Sequence, residues 1–79
     1  MISEIDKRNI NILVTSSISI NNGLVIPNPD FDNQIQKIKD LKLKKNIPSD
    51  EVHEFLKEIL EQLKCSDYYV KEFFRWTAL

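Results

Sequence analysis

One histidine and one cysteine are the side chains of this sequence best suited to nucleophilic or metal chemistry. His53 and Cys65 stand twelve residues apart, which is about 18 Å along an α-helix. A cysteine nucleophile needs its base within hydrogen-bonding distance, and a zinc site needs three or four suitable ligands. We therefore expect neither a catalytic pair nor a metal site. His53 is interpreted as a solvated surface residue and Cys65 as a small packed one.

The carboxylates and the single glycine give no better basis for catalysis. Glu54, Glu58 and Glu61 repeat on the polar side of an amphipathic segment, whereas a catalytic carboxylate pair needs a cleft that shifts the proton affinity of one member. Gly23 is the only glycine, so a glycine-rich phosphate loop is excluded. We expect no enzymatic activity and no cofactor.

Positive charge is concentrated in one segment. Residues 37–49 contain five lysines and one acid, which gives them a charge of +4, although the whole chain carries −1. These lysines are Lys37, Lys39, Lys42, Lys44 and Lys45. Lysines near the end of a helix complement its dipole, and a run of lysines also attracts phosphate. The segment is therefore either a solvated helix end or a nucleic-acid contact.

Aromatic side chains are concentrated near the end of the sequence. Five of the seven aromatic residues follow Ser66. With one arginine among them, they have the composition of binding hot spots, and a small domain has little core to shelter them. The predicted partner-binding residues are Tyr68, Tyr69, Phe73, Phe74, Arg75 and Trp76. The alternative is that these rings complete the protein's own core.

Helices are predicted for both of these segments. Apolar residues recur every three or four positions from Phe31 to Leu41 and again from Val52 to Leu63, which predicts amphipathic helices that begin near 30 and near 50. Asp30 or Asp32 is the expected cap of the first, and Pro48 ends it. The first helix is expected to finish between 41 and 45, and the second near 64.

Two alternatives are open for the C-terminal helices. The tripeptide 65–67 favours a break, because Ser66 or Asp67 would cap a separate last helix. The apolar repeat keeps its register across the junction, which favours one continuous helix over 50–77, about 42 Å long. A helix of that length would project from a small domain and need a partner.

The N-terminal third has the pattern of strands. Apolar residues occupy most of the even positions from 10 to 20, a period of two. Asn22 and Gly23 predict a tight turn that folds strand 17–21 onto 24–26, where Pro27 ends pairing. Residues 10–15 would then be either a third strand or an open edge. Ser3 and Asp6 have the spacing of a helix cap, yet the segment before residue 10 is short, so a turn or an arm is expected there.

These elements predict one small α+β domain over residues 1–79, with a β-rich part at 1–27 and a helical part at 28–79. The architecture expected is an N-terminal β-hairpin or three-stranded meander followed by two or three α-helices. A single cysteine excludes an internal disulfide. The apolar runs are too short for a signal peptide or a membrane span. We expect a cytoplasmic protein with no membrane partner.

The preferred functional hypothesis is a non-enzymatic protein-binding module of the inhibitor, immunity, antitoxin-like or adaptor type. It would act by steric occlusion or by assembly through its C-terminal aromatic surface, including a homodimer through residues 50–79. The alternative is a small dimeric DNA-binding regulator, because a strand, a helix, a basic turn and a helix follow the order of ribbon-helix-helix repressors. Ser17, Ser19 and Asn21 supply no cation for the DNA groove, and Pro48 stands where such folds usually have glycine, so no family is identified.

Overall fold

A helix stands at the start of the chain, where the alternating residues predict a strand. The computed structural model describes residues 2–79. Its elements in chain order are α1 (Glu4–Ser17), β1 (Ile18–Asn21), β2 (Leu24–Pro27), α2 (Phe31–Lys44), α3 (Ser49–Gln62) and α4 (Asp67–Thr77). The mixed α and β composition is confirmed. The N-terminal position of the hairpin and the third strand are wrong, since the hairpin follows α1 and residues 2–79 hold only two strands.

The cap and the buried face of α1 explain the difference. The backbone N–H of Asp6 donates to Ser3 Oγ at 3.1 Å, so the predicted cap is present and opens a helix of 14 residues rather than an arm. Ile10, Val14 and Ser17 are buried, and their spacing of four and three is that of a helix face. Ile10 and Val14 belong both to the even-numbered apolar residues and to this helix face, so the alternation predicts a strand where packing forms a helix.

Hydroxyl groups in the last turn of α1 are satisfied within the helix. The hydroxyl of Thr15 donates to the carbonyl of Asn11 at 2.9 Å, and that of Ser17 to the carbonyl of Val14 at 2.7 Å. Such bonds let hydroxyl residues occupy a helix end. Neither the meander nor the open edge predicted for residues 10–15 exists, and half of the supposed β-rich part is helical.

The predicted hairpin is confirmed. Asn22 and Gly23 both have positive φ angles, 53° and 81°, as a tight two-residue turn requires. The register runs from Asn21 opposite Leu24 to Ile18 opposite Pro27. The pair that closes such a turn, here Asn21 and Leu24, is hydrogen-bonded, and hydrogen-bonded and non-hydrogen-bonded pairs then alternate along the strands. Ile18 and Pro27 are therefore a non-hydrogen-bonded pair, in which an N–H at position 27 would point away from β1. The strand therefore accommodates the proline at its end.

The three later helices begin and end close to the predicted positions. The α2 helix ends before Asn46, whose φ is 51°, and α3 ends before Lys64, whose φ is 62°. At the second of these ends the N–H of Cys65 donates back to the carbonyl of Leu60 at 3.1 Å. Ser66 then caps α4 by accepting from the N–H of Tyr69 at 3.4 Å. The break is thus confirmed, and the continuous helix is wrong.

The core draws on all four helices and both strands. Its most deeply buried apolar side chains are Ile10, Val14, Ile38, Val52, Leu56, Leu60 and Phe73. Asp30 takes the cap position of α2 but makes no side-chain hydrogen bond there, so burial of Phe31 and Ile35 holds that end of the helix. Within residues 2–79, no helix has both the length and the apolar character needed to cross a membrane.

Candidate interaction surface

The last helix has a side that belongs to the core. Val70, Phe73 and Thr77 are buried, and they fall on one side of α4 at about 100° per residue. Phe73 is fully buried, and its ring meets that of Phe31 edge-on at 6.1 Å. Phe73 was predicted to bind a partner, but it fills the core and does not reach the surface. The reason is its contact with α2, a segment remote in sequence.

The side of α4 that faces away from the core carries aromatic and charged groups, of which Tyr68, Arg75 and Trp76 are exposed and Tyr69 and Glu72 are half-buried. We call Tyr68, Tyr69, Glu72, Arg75 and Trp76 the outer face of α4. Tyr68 is 64% exposed and Trp76 40%, while the side chain of Arg75 is 81% exposed. Four of the six residues predicted to bind a partner therefore lie together on this face.

Glu72 lies at the centre of the outer face and connects its polar groups. Tyr68 Oη donates to Glu72 Oε1 at 3.2 Å, and Arg75 Nη1 lies 3.5 Å from Glu72 Oε2. The Glu72 side chain is only 20% exposed. Sequence reasoning missed Glu72, although its spacing of four from Tyr68 and three from Arg75 is the spacing of neighbours on a helix.

The bond to Glu72 also affects the ionisation of Tyr68. The hydrogen bond that the phenol donates raises the pKa of Tyr68, and the negative charge of Glu72 raises it further. Donation requires the protonated phenol. Tyr68 is therefore a neutral hydrogen-bond donor throughout the physiological range.

The aromatic rings of the outer face rest on the core through a series of ring contacts. Tyr68 meets Tyr69 at 5.1 Å with perpendicular planes, and Tyr69 lies 6.4 Å from Trp76. Trp76 in turn meets Phe31 edge-on at 6.2 Å. These separations are typical of favourable aromatic pairs. Phe31, which the sequence assigns only to the core face of α2, thus supports the exposed rings.

Phe74 faces a different way from the outer face. It is half-buried and stacks on the exposed His53 of α3, with ring centroids 3.9 Å apart and planes at 24°. The two rings line a groove of about 500 Å³ between α3 and α4, whose other walls include Lys57 and Lys71. His53 is on the surface as predicted, but its stacking on Phe74 was not predicted.

The lysine segment lies away from the outer face. Lys37, Lys44 and Lys45 are exposed, whereas Lys39 and Lys42 are half-buried. Trp76 contacts Phe31, the first residue of α2, whereas the lysine segment begins at Lys37 in the middle of the helix and ends at Lys45, just beyond its last residue. Along the helix axis Phe31 is therefore about 9 Å from Lys37 and about 20 Å from Lys44. The lysines also point to more than one side of α2, because successive residues turn by about 100°.

The hairpin changes the basis of the DNA-binding alternative. In the ribbon-helix-helix order, one strand is followed directly by two helices. In this chain β1 pairs with β2 as a hairpin, α1 precedes the hairpin, and α4 follows α3. That alternative now rests on the lysines alone.

The remaining reactive groups are isolated. The free thiol of Cys65 is half-buried, and burial raises its pKa, so the reactive thiolate is scarce near neutral pH. Among residues 2–79, no three His, Cys, Asp or Glu side chains are grouped closely enough to hold a metal ion.

No protein-family model, curated protein or solved structure was found to match the chain. Function must therefore be inferred from the surfaces of the molecule itself.

Proposed function

We propose that this protein is a non-enzymatic protein-binding module and that it binds through the outer face of α4. The observation that carries the proposal is the exposure of Tyr68 and Trp76 on a helix whose other side is fixed in the core. Tyrosine, tryptophan and arginine are the residues most enriched at binding hot spots. All three types are present on this face within nine residues.

The support beneath the outer face favours binding. Val70 and Phe73 anchor α4 in the core, and Phe31 supports the ring of Trp76. Side chains that are already held in place lose less conformational entropy when a partner covers them. A rigid helix with an aromatic face fits a groove on another protein. Inhibitor, immunity, antitoxin-like and adaptor proteins can all act in this way, by blocking a surface or by joining two molecules.

Substitution of Tyr68 tests the proposal. Tyr68→Ala should reduce capture of the partner by about tenfold or more, as expected for a hot-spot residue. Stability should change little, because Tyr68 is 64% exposed. The readout is capture of proteins from the native host by the immobilised chain, with thermal unfolding measured in parallel.

Leu43→Ala is the matched control, because Leu43 is 79% exposed and lies outside the outer face. It should retain the partner at the wild-type level. Unchanged capture by both Tyr68→Ala and Trp76→Ala variants that remain folded would contradict the proposal.

The alternative function is nucleic-acid binding by the lysine segment. The observation in its favour is that Lys37, in the middle of α2, and Lys44 and Lys45, at its C-terminal end, are exposed. Lysines of this kind contact phosphates and give binding that weakens as salt rises.

A further inference from the structure

We infer that the outer face of α4 binds a second copy of this chain, with the two α4 helices antiparallel about a two-fold axis. The inference rests on the proposed function, since it names the occupant of the same surface. The pattern of charge on that surface supports it.

The charges of the outer face are self-complementary. In a two-fold dimer, if one residue contacts another across the axis, the reverse contact forms as well. Glu72 and Arg75 have opposite charges and lie three residues apart on the same face. An antiparallel alignment that sets Glu72 against Arg75 of the partner subunit therefore sets Arg75 against Glu72 of the partner subunit. One pair of side chains provides two ion pairs across the axis.

Arg75 has free hydrogen-bonding capacity for this contact. Within the chain its guanidinium approaches one oxygen of Glu72, at 3.5 Å, and 81% of its side chain remains exposed. A guanidinium carries five N–H donors, so several remain for a second carboxylate. Tyr68 already occupies the other oxygen of Glu72 through its hydroxyl, which holds the carboxylate in place.

The apolar part of the face is also matched by its own copy. Tyr69 and Trp76 lie on one flank of the outer face, and a two-fold axis perpendicular to antiparallel helices brings this flank against the same flank of the partner subunit. The exposed area of Trp76 would then be covered by aromatic area. Tyrosine, tryptophan and arginine are enriched at protein interfaces.

The hairpin adds apolar area beside the start of α4. A Cβ atom on Gly23 would lie 3.9 Å from that of Ser66, so the turn borders the cap of α4. Leu24, the next residue, is 50% exposed.

Charge reversal tests the inference. The wild-type chain should sediment as a dimer that dissociates on dilution. Glu72→Arg and Arg75→Glu should each weaken the dimer by about tenfold or more, because each places like charges across the axis. Mixing the two variants should restore a dimer. In the mixed dimer opposite charges face each other at both contacts between position 72 of one chain and position 75 of the other. The double variant E72R/R75E should also dimerise.

The mixture separates contacts between chains from contacts within a chain. Each single variant also loses the pair between residues 72 and 75 of its own helix, and mixing cannot repair that loss. Circular dichroism of each variant verifies that it is folded. A mixture of folded variants that remains monomeric overturns the inference, and so does a wild-type chain that is monomeric at every concentration.

Failure of the dimer inference can be distinguished from failure of the proposed function. A monomeric wild-type chain that loses a captured protein on Tyr68→Ala substitution overturns the second copy as occupant and leaves the binding surface supported. A dimer that is unaffected by substitutions at 68, 72 and 75 has its interface elsewhere and overturns the inference as well.

Discussion

At the scale of single residues, Glu72 decides how the outer face of α4 is organised. Its two carboxylate oxygens face different neighbours, since one accepts the hydroxyl of Tyr68 and the other lies near the guanidinium of Arg75. Both neighbours are thereby oriented before any partner arrives. Substitutions at Glu72 should therefore change the properties of Tyr68.

Replacing Glu72 with glutamine should lower the pKa of Tyr68 towards its ordinary value. The hydrogen bond to Glu72 and the charge of Glu72 are the main causes that raise it, and glutamine carries no charge. Since the pKa is raised in the folded chain, any stabilisation is complete below the unfolded pKa and is lost as pH rises through the folded one. The ring resonances of Tyr68 followed by NMR against pH give the measurement.

An unchanged pKa of Tyr68 in a Glu72→Gln variant that remains folded would contradict this prediction. It would indicate that neither the hydrogen bond to Glu72 nor the charge of Glu72 raises that pKa.

At the scale of secondary structure, the α1 helix can be distinguished from the predicted strand by two substitutions. A strand would place Ile12 and Val14 on the same face, whereas in α1 Ile12 is 57% exposed and Val14 fully buried. Val14→Ala should therefore reduce the free energy of unfolding by about 2 kcal/mol. Ile12→Ala should change it by less than about 0.5 kcal/mol. Urea unfolding measures both, and equal losses would favour the strand.

The end of α3 provides a second test at this scale. Lys64 has a φ of 62°, a left-handed conformation that costs a non-glycine residue about 1–2 kcal/mol. Lys64→Gly should raise the free energy of unfolding by about 0.5–1 kcal/mol, because glycine adopts this conformation without the steric cost but loses more entropy on folding.

The same substitution at Lys57, in the middle of α3, is the matched control. Lys57→Gly should lower the free energy of unfolding by about 1 kcal/mol. Thermal or urea unfolding of the two variants gives the comparison, and a loss of stability in both would contradict the assigned helix end.

Elements with strong local signals could be predicted from the sequence. The Asn22–Gly23 turn, Pro48 before α3 and the cap at Ser66 each depend on residues within a few positions. The hairpin and the boundaries of α2 and α3 were therefore predicted, and the final break was one of two alternatives left open. The α1 helix was not, because residues 10–20 satisfy a period of two and a period of 3.6 together. Only the packing of Ile10 and Val14 decides between them.

Part of the interaction surface could be predicted from composition. Composition identified Tyr68, Tyr69, Arg75 and Trp76, which lie together on the outer face. Composition alone did not separate Phe73 from them, although Val70, Phe73 and Thr77 recur at the spacing of one helix face. The partner of Phe73 in the core, Phe31, lies far away in the sequence, and no local pattern indicates that contact.

At the scale of the whole molecule, the exposed Lys44 and Lys45 and the ring of Trp76 lie at opposite ends of α2. The molecule measures 34 × 22 × 21 Å, so one large partner could cover both only by extending along the helix. If the lysine segment and the outer face of α4 bind different partners, a substitution on one surface should leave binding by the other unchanged.

Duplex DNA distinguishes these activities. If the lysine segment binds phosphate, affinity for DNA should fall steeply between about 50 mM and 200 mM salt, and a Lys44→Gln/Lys45→Gln variant should bind more weakly with a smaller salt dependence. Tyr68→Ala should leave DNA affinity unchanged. Fluorescence anisotropy of a labelled duplex is the measurement. Absence of binding at the lower salt concentration would eliminate the DNA-binding alternative.

The contact between Phe31 and Phe73 has a consequence for the lifetime of the protein. A protease that cut the link at residues 63–66, where Lys64 and Ser66 are exposed, and released α4 would remove a core ring together with the binding surface. The remaining fragment would expose apolar side chains and become a substrate for further degradation. Loss of the interface and loss of the fold would then occur together. Cleavage would therefore not leave a stable, inactive fragment that competes with the intact protein.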